Sequence, residues 1–448
     1  MNPLIILAIG MAVVVGGILA LRLHAFLALL AGAILVLALT PGATKPLGDR
    51  LAGGFGETTG KVGILVAMAS VLGRALMESG AAERIVLATR RALGDRRAPL
   101  AFLISGFVLG NLVFAETVFY LLIPIAKVMR AASGRDYALY VLCIVAGATM
   151  THSLVPPTPG PSFAAAEFHV GFATMIPAGM VVGAIAATAG YGYARWANRR
   201  WDIPLRGADG LAAVQANVET PTRPLPPLAV ALLPIVLPVA LIAAGAYVDA
   251  VHAAGRLAGF VKTVGDKNIA LSLSAAVGLI IVALQRRLDR RAMSAAVGDA
   301  LAGAGVIILI IAAGGAFGKA LQDAKVADAL ARLLPESRHA LIPLAFVTAA
   351  VIRTAQGSAT VAMITASTII APIAAAAPLP FHPVYLALAV GCGSKPFMWM
   401  NDSGFWIIGR MSGFTETETL KTASTMMVVE ASVGIAATIM GAWLVPLV

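Results

Sequence analysis

Charge is what this chain has least of. Asp, Glu, Lys and Arg make up 12% of its 448 residues, half of the roughly 25% carried by ordinary globular domains. So few charges cannot solvate the surface of a soluble chain of this length. Cysteine is scarce as well. Cys143 and Cys392 are the whole complement, and both lie within apolar runs, which argues against a disulfide framework or a metal site. The sequence carries no phosphate-loop motif, no dinucleotide fingerprint and no HExxH. Ten-residue alternating strands, the mark of a membrane barrel, are missing too. These absences exclude a soluble globular enzyme, a disordered chain, a coiled coil and a nucleic-acid-binding domain.

What is present is apolar. Hydrophobic residues make up 59% of the chain and the mean hydropathy is +0.89. The 45 glycines and 25 prolines are spread through the apolar runs rather than gathered in a tail. The fold class is therefore an all-α polytopic membrane protein embedded in the lipid bilayer. The formal charge of +11 fits basic loops held on the cytoplasmic side better than a nucleic-acid partner. The N-terminal run lacks a basic leader and stays apolar to Leu21, as a first spanning helix would and a cleaved signal would not.

At about 20 apolar residues per crossing, spans are predicted at 3–21, 25–41, 62–77, 137–155, 170–194, 228–249, 268–285, 303–321, 382–400 and 425–447. Two stretches, 98–126 and 339–377, are too long for one crossing. Each carries a charge and a small or polar break near its middle, at Glu116 and Arg353, and each reads as a helical hairpin that enters and leaves on one side. With the N-terminus periplasmic, twenty of the 33 Lys and Arg fall in inside loops and nine in outside loops, the bias that sets orientation.

The halves are related. LGRALMESGAAERI at 72–85 matches FGKALQDAKVADAL at 317–330 with an offset of 245: Gly73 with Gly318, Arg74 with Lys319, Glu78 with Asp323 and Glu83 with Asp328. A hairpin stretch follows each, then an apolar helix running into a broken polar segment, THSLVPPTPGPS at 151–162 and GSKPFMWMNDSGFW at 393–406, then a long apolar helix. The topology makes the two units antiparallel. Inverted repeats with interrupted helices mark transporters whose substrate site lies where the repeats meet. The division is a first repeat at 1–194, a cytoplasmic linker at 195–227 and a second repeat at 228–448.

Polar groups inside spans are costly and therefore informative. Glu116-Thr117 offers a carboxyl for a cation or a proton, or for an ion pair with Arg353. Thr151-His152-Ser153 precedes prolines and Gly160, which free backbone groups that must line a buried or watery cavity. Arg353 with Gly357-Ser358-Ala359-Thr360 offers a cation, which either binds a carboxylate or balances Glu116, and a helix N-terminus suited to anions. Asn401-Asp402-Ser403-Gly404 supplies amide, carboxylate and hydroxyl on an irregular backbone. Lys395, nearby, is adequately explained by snorkelling to the interface.

These blocks resemble the gluconate permease family over nearly the whole chain, most specifically in THSLVPPTPGP (151–161), in Arg353 with Gly357-Ser358-Ala359-Thr360, and in Asn401-Asp402-Ser403-Gly404-Phe405-Trp406. Phe114-Ala115-Glu116 with Pro124 looks like a further family block. The resemblance implies a proton-coupled importer of gluconate or a related hydroxy or sugar acid in the inner membrane. It also implies a homodimer with a scaffold and an elevator-like transport domain. The scaffold helices would be 3–41 and 228–285, and the transport parts 62–194 and 303–447. Thr158 and Trp399 stand where family members carry histidine, which widens the expected substrates to smaller or less hydroxylated acids.

The expected substrate contacts are Thr117, Thr151, His152, Ser153, Gly160, Arg353, Gly357, Ser358, Thr360, Asn401, Asp402 and Ser403. Glu116, His152 and Asp402 are the expected proton carriers, with no metal and no cofactor besides the ion gradient. Sodium coupling is the near alternative and an intramembrane enzyme the alternative of another class.

Overall fold

The computed structural model describes residues 2–40, 45–94, 97–111, 115–206, 224–252, 255–286, 290–325, 338–376, 378–399 and 402–447. Among them there is no strand. The first half contains α1 (Pro3–Leu19), α2 (Ala25–Leu39), α3 (Leu47–Glu78), α4 (Ala81–Leu93), α5 (Ala98–Gly110), α6 (Ala115–Ser133), α7 (Tyr137–Leu154), α8 (Pro159–Glu167) and α9 (Phe172–Arg200). The second contains α10 (Leu228–Ala250), α11 (Arg256–Gly265), α12 (Lys267–Arg286), α13 (Arg290–Asp323), α14 (Leu341–Gln356), α15 (Ala359–Ala375), α16 (Val384–Gly393), α17 (Ser403–Ser412), α18 (Glu416–Thr419) and, after a π-helical turn, α19 (Thr425–Leu444). Seven helices among the described residues are long and apolar enough to cross a bilayer.

The order of elements repeats. Helices α6 and α15 begin at Ala115 and Ala359, and α8 and α17 at Pro159 and Ser403, an offset of 244 each time. Helices α3 and α13 end at Glu78 and Asp323, the residues already matched at an offset of 245. These two helices run antiparallel. Arg50 near the start of α3 bonds Asp323 at the end of α13 (3.1 Å), while Arg74 near the end of α3 approaches Asp299 near the start of α13 (4.0 Å). Much of the linker, 207–223, and the matched residue Asp328 lie outside the described residues.

Several boundaries differ from those expected. Helix α3 starts at Leu47 instead of 62, and α13 at Arg290 instead of 303. Tertiary packing carries their polar ends. Thr58 is buried against Gly315, where a methyl group would fall 1.8 Å from its Oγ1, and Gly54 faces Ala316 and Lys319. Arg50 and Lys61 thus sit on a helix rather than in a loop, and Lys61 pairs with Glu57 one turn away (2.9 Å). Helix α16 stops at Gly393 instead of continuing to 400, and the Ser394 hydroxyl donates to the Gly391 carbonyl (2.7 Å).

Both predicted hairpins are broken helices that pack on their own second arm: α5 with α6, and α14 with α15. Helices α5 and α7 approach so closely that a methyl group on Gly147 would lie 2.1 Å from the Leu103 carbonyl oxygen.

Contacts between loop ends gather one face of the molecule. Asn198 donates to Asp136 (2.8 Å), the Tyr137 hydroxyl to the Ser412 carbonyl (2.7 Å), and Arg206 to Glu418 (2.5 and 2.9 Å). Arg286 pairs with Glu78 at the end of α3 (2.6 Å). This face carries Arg135, Arg199 and Arg200 from basic clusters, with Arg410 and Lys421.

Candidate functional site

The two breaks in the second half come together. In the first, α14 ends at Gln356 and the chain turns through Gly357 at φ 85°. That left-handed conformation is open to glycine and costly for residues with a Cβ. Ser358 then caps α15, accepting from the Val361 N–H (3.4 Å), so the first turn of α15 starts at the break. In the second, Asp402 caps α17 by accepting from the Gly404 N–H (2.6 Å). Arg353 joins them. One guanidinium nitrogen donates to the Gly357 carbonyl and another to the Asp402 carboxylate. Arg353 is 4% exposed and Asp402 6%, so the pair is shut away from solvent.

Beside this lock lies a cavity of about 250 Å³. Its walls are Ala115 and Phe119 from α6; Val145, Ala148, Thr149 and His152 from α7; Ile307 and Ile310 from α13; the Arg353 and Gly357–Val361 break; Lys395, Met398 and Asp402; and Ile407, Ile408 and Met427. Both broken segments contribute, and so do both hairpins. A mostly apolar pocket with a few convergent polar groups is the usual form of a small-molecule site. Lys395 is 5% exposed. It lies in the non-helical stretch after α16 and reaches the cavity rather than the membrane interface, which corrects the snorkelling expectation. His152 hydrogen-bonds the Gly110 backbone. Among the described side chains, the charges that line the site are the mutually paired Arg353 and Asp402 and a further buried cation, Lys395.

A model of GntP family permeases matches residues 2–445. The chain belongs to that family. It is 32% identical to the gluconate permease of Pseudomonas aeruginosa, with 92% of each chain covered. It is 28% identical to the Gnt-II system L-idonate transporter of Escherichia coli, with 95% of each covered. Its fold is similar to that in the crystal structure of the Alcanivorax borkumensis YdaH transporter (TM-score 0.64, 15% identity, all of both chains). The chain is thus a multi-pass membrane permease and not an enzyme.

In this GntP-family permease the expected site residues divide. His152, Arg353, Gly357, Ser358, Thr360 and Asp402 are brought to the cavity. Thr151, Ser153 and Gly160 do not line it. Thr151 is buried at the α5–α7 crossing and donates to the Gly147 carbonyl (3.2 Å). The Ser153 carbonyl packs on Gly391 of α16, and Gly160 packs on Met363 of α15. Asn401 and the side chains of Glu116, Thr117 and Ser403 lie outside the described residues. Among the described side chains the counter-charge of Arg353 is Asp402; the sequence leaves open whether Arg353 binds a carboxylate or balances Glu116, whose side chain lies outside the described residues. Thr149 and Lys395 also line the cavity; sequence reasoning passes over the first and assigns the second to the interface. The available signal for Lys395 was a lone cation inside one of the broken segments.

The two departures from the family pattern have local roles. The Trp399 indole donates to the Thr354 carbonyl (2.7 Å), tying the broken segment to the end of α14. The Thr158 hydroxyl donates to the Val155 carbonyl (2.7 Å) at the entry to α8.

Proposed function

We propose that this permease takes up gluconate or a related hydroxy or sugar acid across the inner membrane together with a proton. The observation that carries the reading is the charge pattern of the cavity. Arg353 is engaged by Asp402, and Lys395 brings a second buried cation to the cavity wall, where a carboxylate can meet it. The N-terminus of α15 lines the same space, and backbone N–H groups at a helix start favour an anion. Ser358, Thr360 and Thr149 place hydroxyls where the oxygens of a polyhydroxy acid would lie. The cavity collects residues from both broken segments, the arrangement used by transporters with inverted repeats. The names of the gluconate and idonate relatives support the substrate class.

The test is uptake by the purified protein in liposomes. Labelled gluconate should accumulate when an inward proton gradient is imposed, in sodium-free buffer, and a protonophore should abolish accumulation. No gradient-dependent uptake across a panel of hydroxy acids would overturn the proposal, and dependence on sodium would reassign the coupling ion. Lys395→Gln should weaken gluconate binding by about tenfold to a hundredfold, the worth of one charge-assisted hydrogen bond.

A further inference from the structure

The cavity ends where three helices close on one another. Its walls on α6, α7 and α17 run from the breaks toward the end of the molecule that carries Arg135, where the Tyr137 hydroxyl holds the Ser412 carbonyl. In the opposite direction the lining stops at Ile310 of α13 and Ile364 of α15. One turn beyond Ile310, α13 presents Gly314, and a turn further on, Gly318. Residues four apart share a helix face, and this face lies on α15 and α8. A methyl group on Gly314 would fall 2.7 Å from Ile364 Cγ2 and 3.7 Å from Phe163 Cζ. On Gly318 it would fall 3.3 Å from Thr368 Cγ2 and 3.5 Å from Glu167 Oε2. Phe163, Ile364 and Thr368 are wholly buried. The seam thus stands as two layers between the cavity and the end bearing Asp323.

The two sides of α13 are held differently. Away from the seam it is fastened. The Phe317 ring lies between α1 and α2, 3.2 Å from a methyl group placed on Gly10 or on Gly32. Thr58 of α3 packs on Gly315, and Arg50 of α3 pairs with Asp323. Helix α3 is fastened in turn to α12, through Gly278 against Leu72 and Ala75 and through Arg286 with Glu78 (2.6 Å). A side chain set between its neighbours' ridges has to climb over them to move. On the seam side, among the described residues, no ion pair joins α3 or α13 to α8 or α15. A hydrogen bond from Thr368 crosses the seam, and it is long. Its Oγ1 lies 3.4 Å from the Gly314 carbonyl oxygen and already donates to the Ile364 carbonyl of its own helix (2.9 Å). A hydroxyl has one proton to give, so parting the helices leaves Thr368 satisfied. The glycine face itself has no side chains to withdraw from its neighbours.

We propose that the permease parts along this seam when its cavity opens to the other side. Helices α8 and α15 then leave the Gly314–Gly318 face together with the walls on α6, α7 and α17, while α3 and α13 stay with α1, α2 and α12. The assignment takes α3 and α13 out of the transport parts, 62–194 and 303–447, that the family resemblance implies and places them in the fixed body. It makes the fit of Ile364 on Gly314 the barrier between the cavity and the periplasm, the side on which the loop-charge rule predicts Asp323. The proposal rests on the cavity being the site of the transported solute, as read above, and does not depend on which acid is carried.

The double variant Gly318→Cys/Thr368→Cys tests it. A sulfur in place of the Thr368 methyl would lie 3.3 Å from the Cβ of residue 318, within reach of a disulfide. In the oxidised full-length protein in liposomes, gluconate uptake and exchange should both be lost, and reductant should restore them. Gluconate binding by the oxidised protein in detergent should match that of the reduced form. A disulfide within the fixed body, from Ala75→Cys/Gly278→Cys, should leave uptake intact. Full uptake with the 318–368 disulfide formed would overturn the proposal, and so would loss of uptake on closing the 75–278 disulfide. Thr368→Cys alone is a milder second variant. Its thiol should react with a small membrane-impermeant reagent added to intact cells, whereas the wild type, whose Cys143 and Cys392 are buried, should not react. A Thr368→Cys permease that never reacts from outside would also overturn the seam, whatever the solute. Absence of uptake of any hydroxy acid by the wild type, with Thr368→Cys still labelled, would instead overturn the substrate reading and leave the seam standing.

Discussion

At the scale of single residues, the Arg353–Asp402 pair matters most to the shape of the site. Two charges removed from water hold each other, and a second guanidinium nitrogen donates to the Gly357 carbonyl that the break exposes. Removing one partner of a buried pair leaves the other uncompensated, at a cost of about 3–5 kcal/mol. Asp402→Asn should therefore lower the melting temperature of the solubilised protein sharply, whereas the double variant Arg353→Met/Asp402→Leu should recover a good part of the loss. An unchanged melting curve for Asp402→Asn would show that the pair does not hold the break together. Sequence reasoning reached both residues because an ion inside an apolar run is conspicuous. It could not pair them, since 49 residues and a helical hairpin separate them. It also set Lys395 aside, because a lysine near the end of an apolar run has a cheap route to the interface. Only the early end of α16 at Gly393 closes that route.

At the scale of elements, hydropathy located the spans but not the ends of α3 and α13. The polar start of each lies against the far end of the other, a long-range fact invisible to any local window. The breaks were more legible, since Gly, Pro, Ser and Thr within apolar runs signal the loss of helical backbone directly. Gly357 is the sharpest case. An L-residue with a Cβ in the left-handed region costs on the order of 1–2 kcal/mol, and asparagine tolerates it better than alanine. Gly357→Ala should therefore destabilise the protein by about that much, and Gly357→Asn should do less harm. Thermal melts of both variants check the order. If alanine were tolerated as well as asparagine, the φ of 85° would not describe the break in solution.

At the scale of the whole molecule, the antiparallel course of α3 and α13 and the loop contacts on one face define two ends without naming their sides. The loop-charge rule predicts the Arg135 end on the cytoplasmic side and the end bearing Asp323 and Lys325 on the periplasmic side. Because Cys143 and Cys392 are both buried, single cysteines introduced on the surface can report this. Arg135→Cys should react with a membrane-impermeant thiol reagent only in inside-out vesicles, and Lys325→Cys only in intact cells. Labelling of Arg135→Cys from outside would reverse the assignment. The repeat was legible in the sequence, while the cavity, made from six separate stretches of chain, became visible only once the helices were packed.

The self-cancelling pair has a further effect when the membrane is energised. Each uncompensated elementary charge moved across 100 mV involves about 2.3 kcal/mol of electrical work. Arg353 and Asp402 together carry no net charge, so a displacement that carries the pair across the membrane field as a unit, without turning or parting it, costs no electrical work.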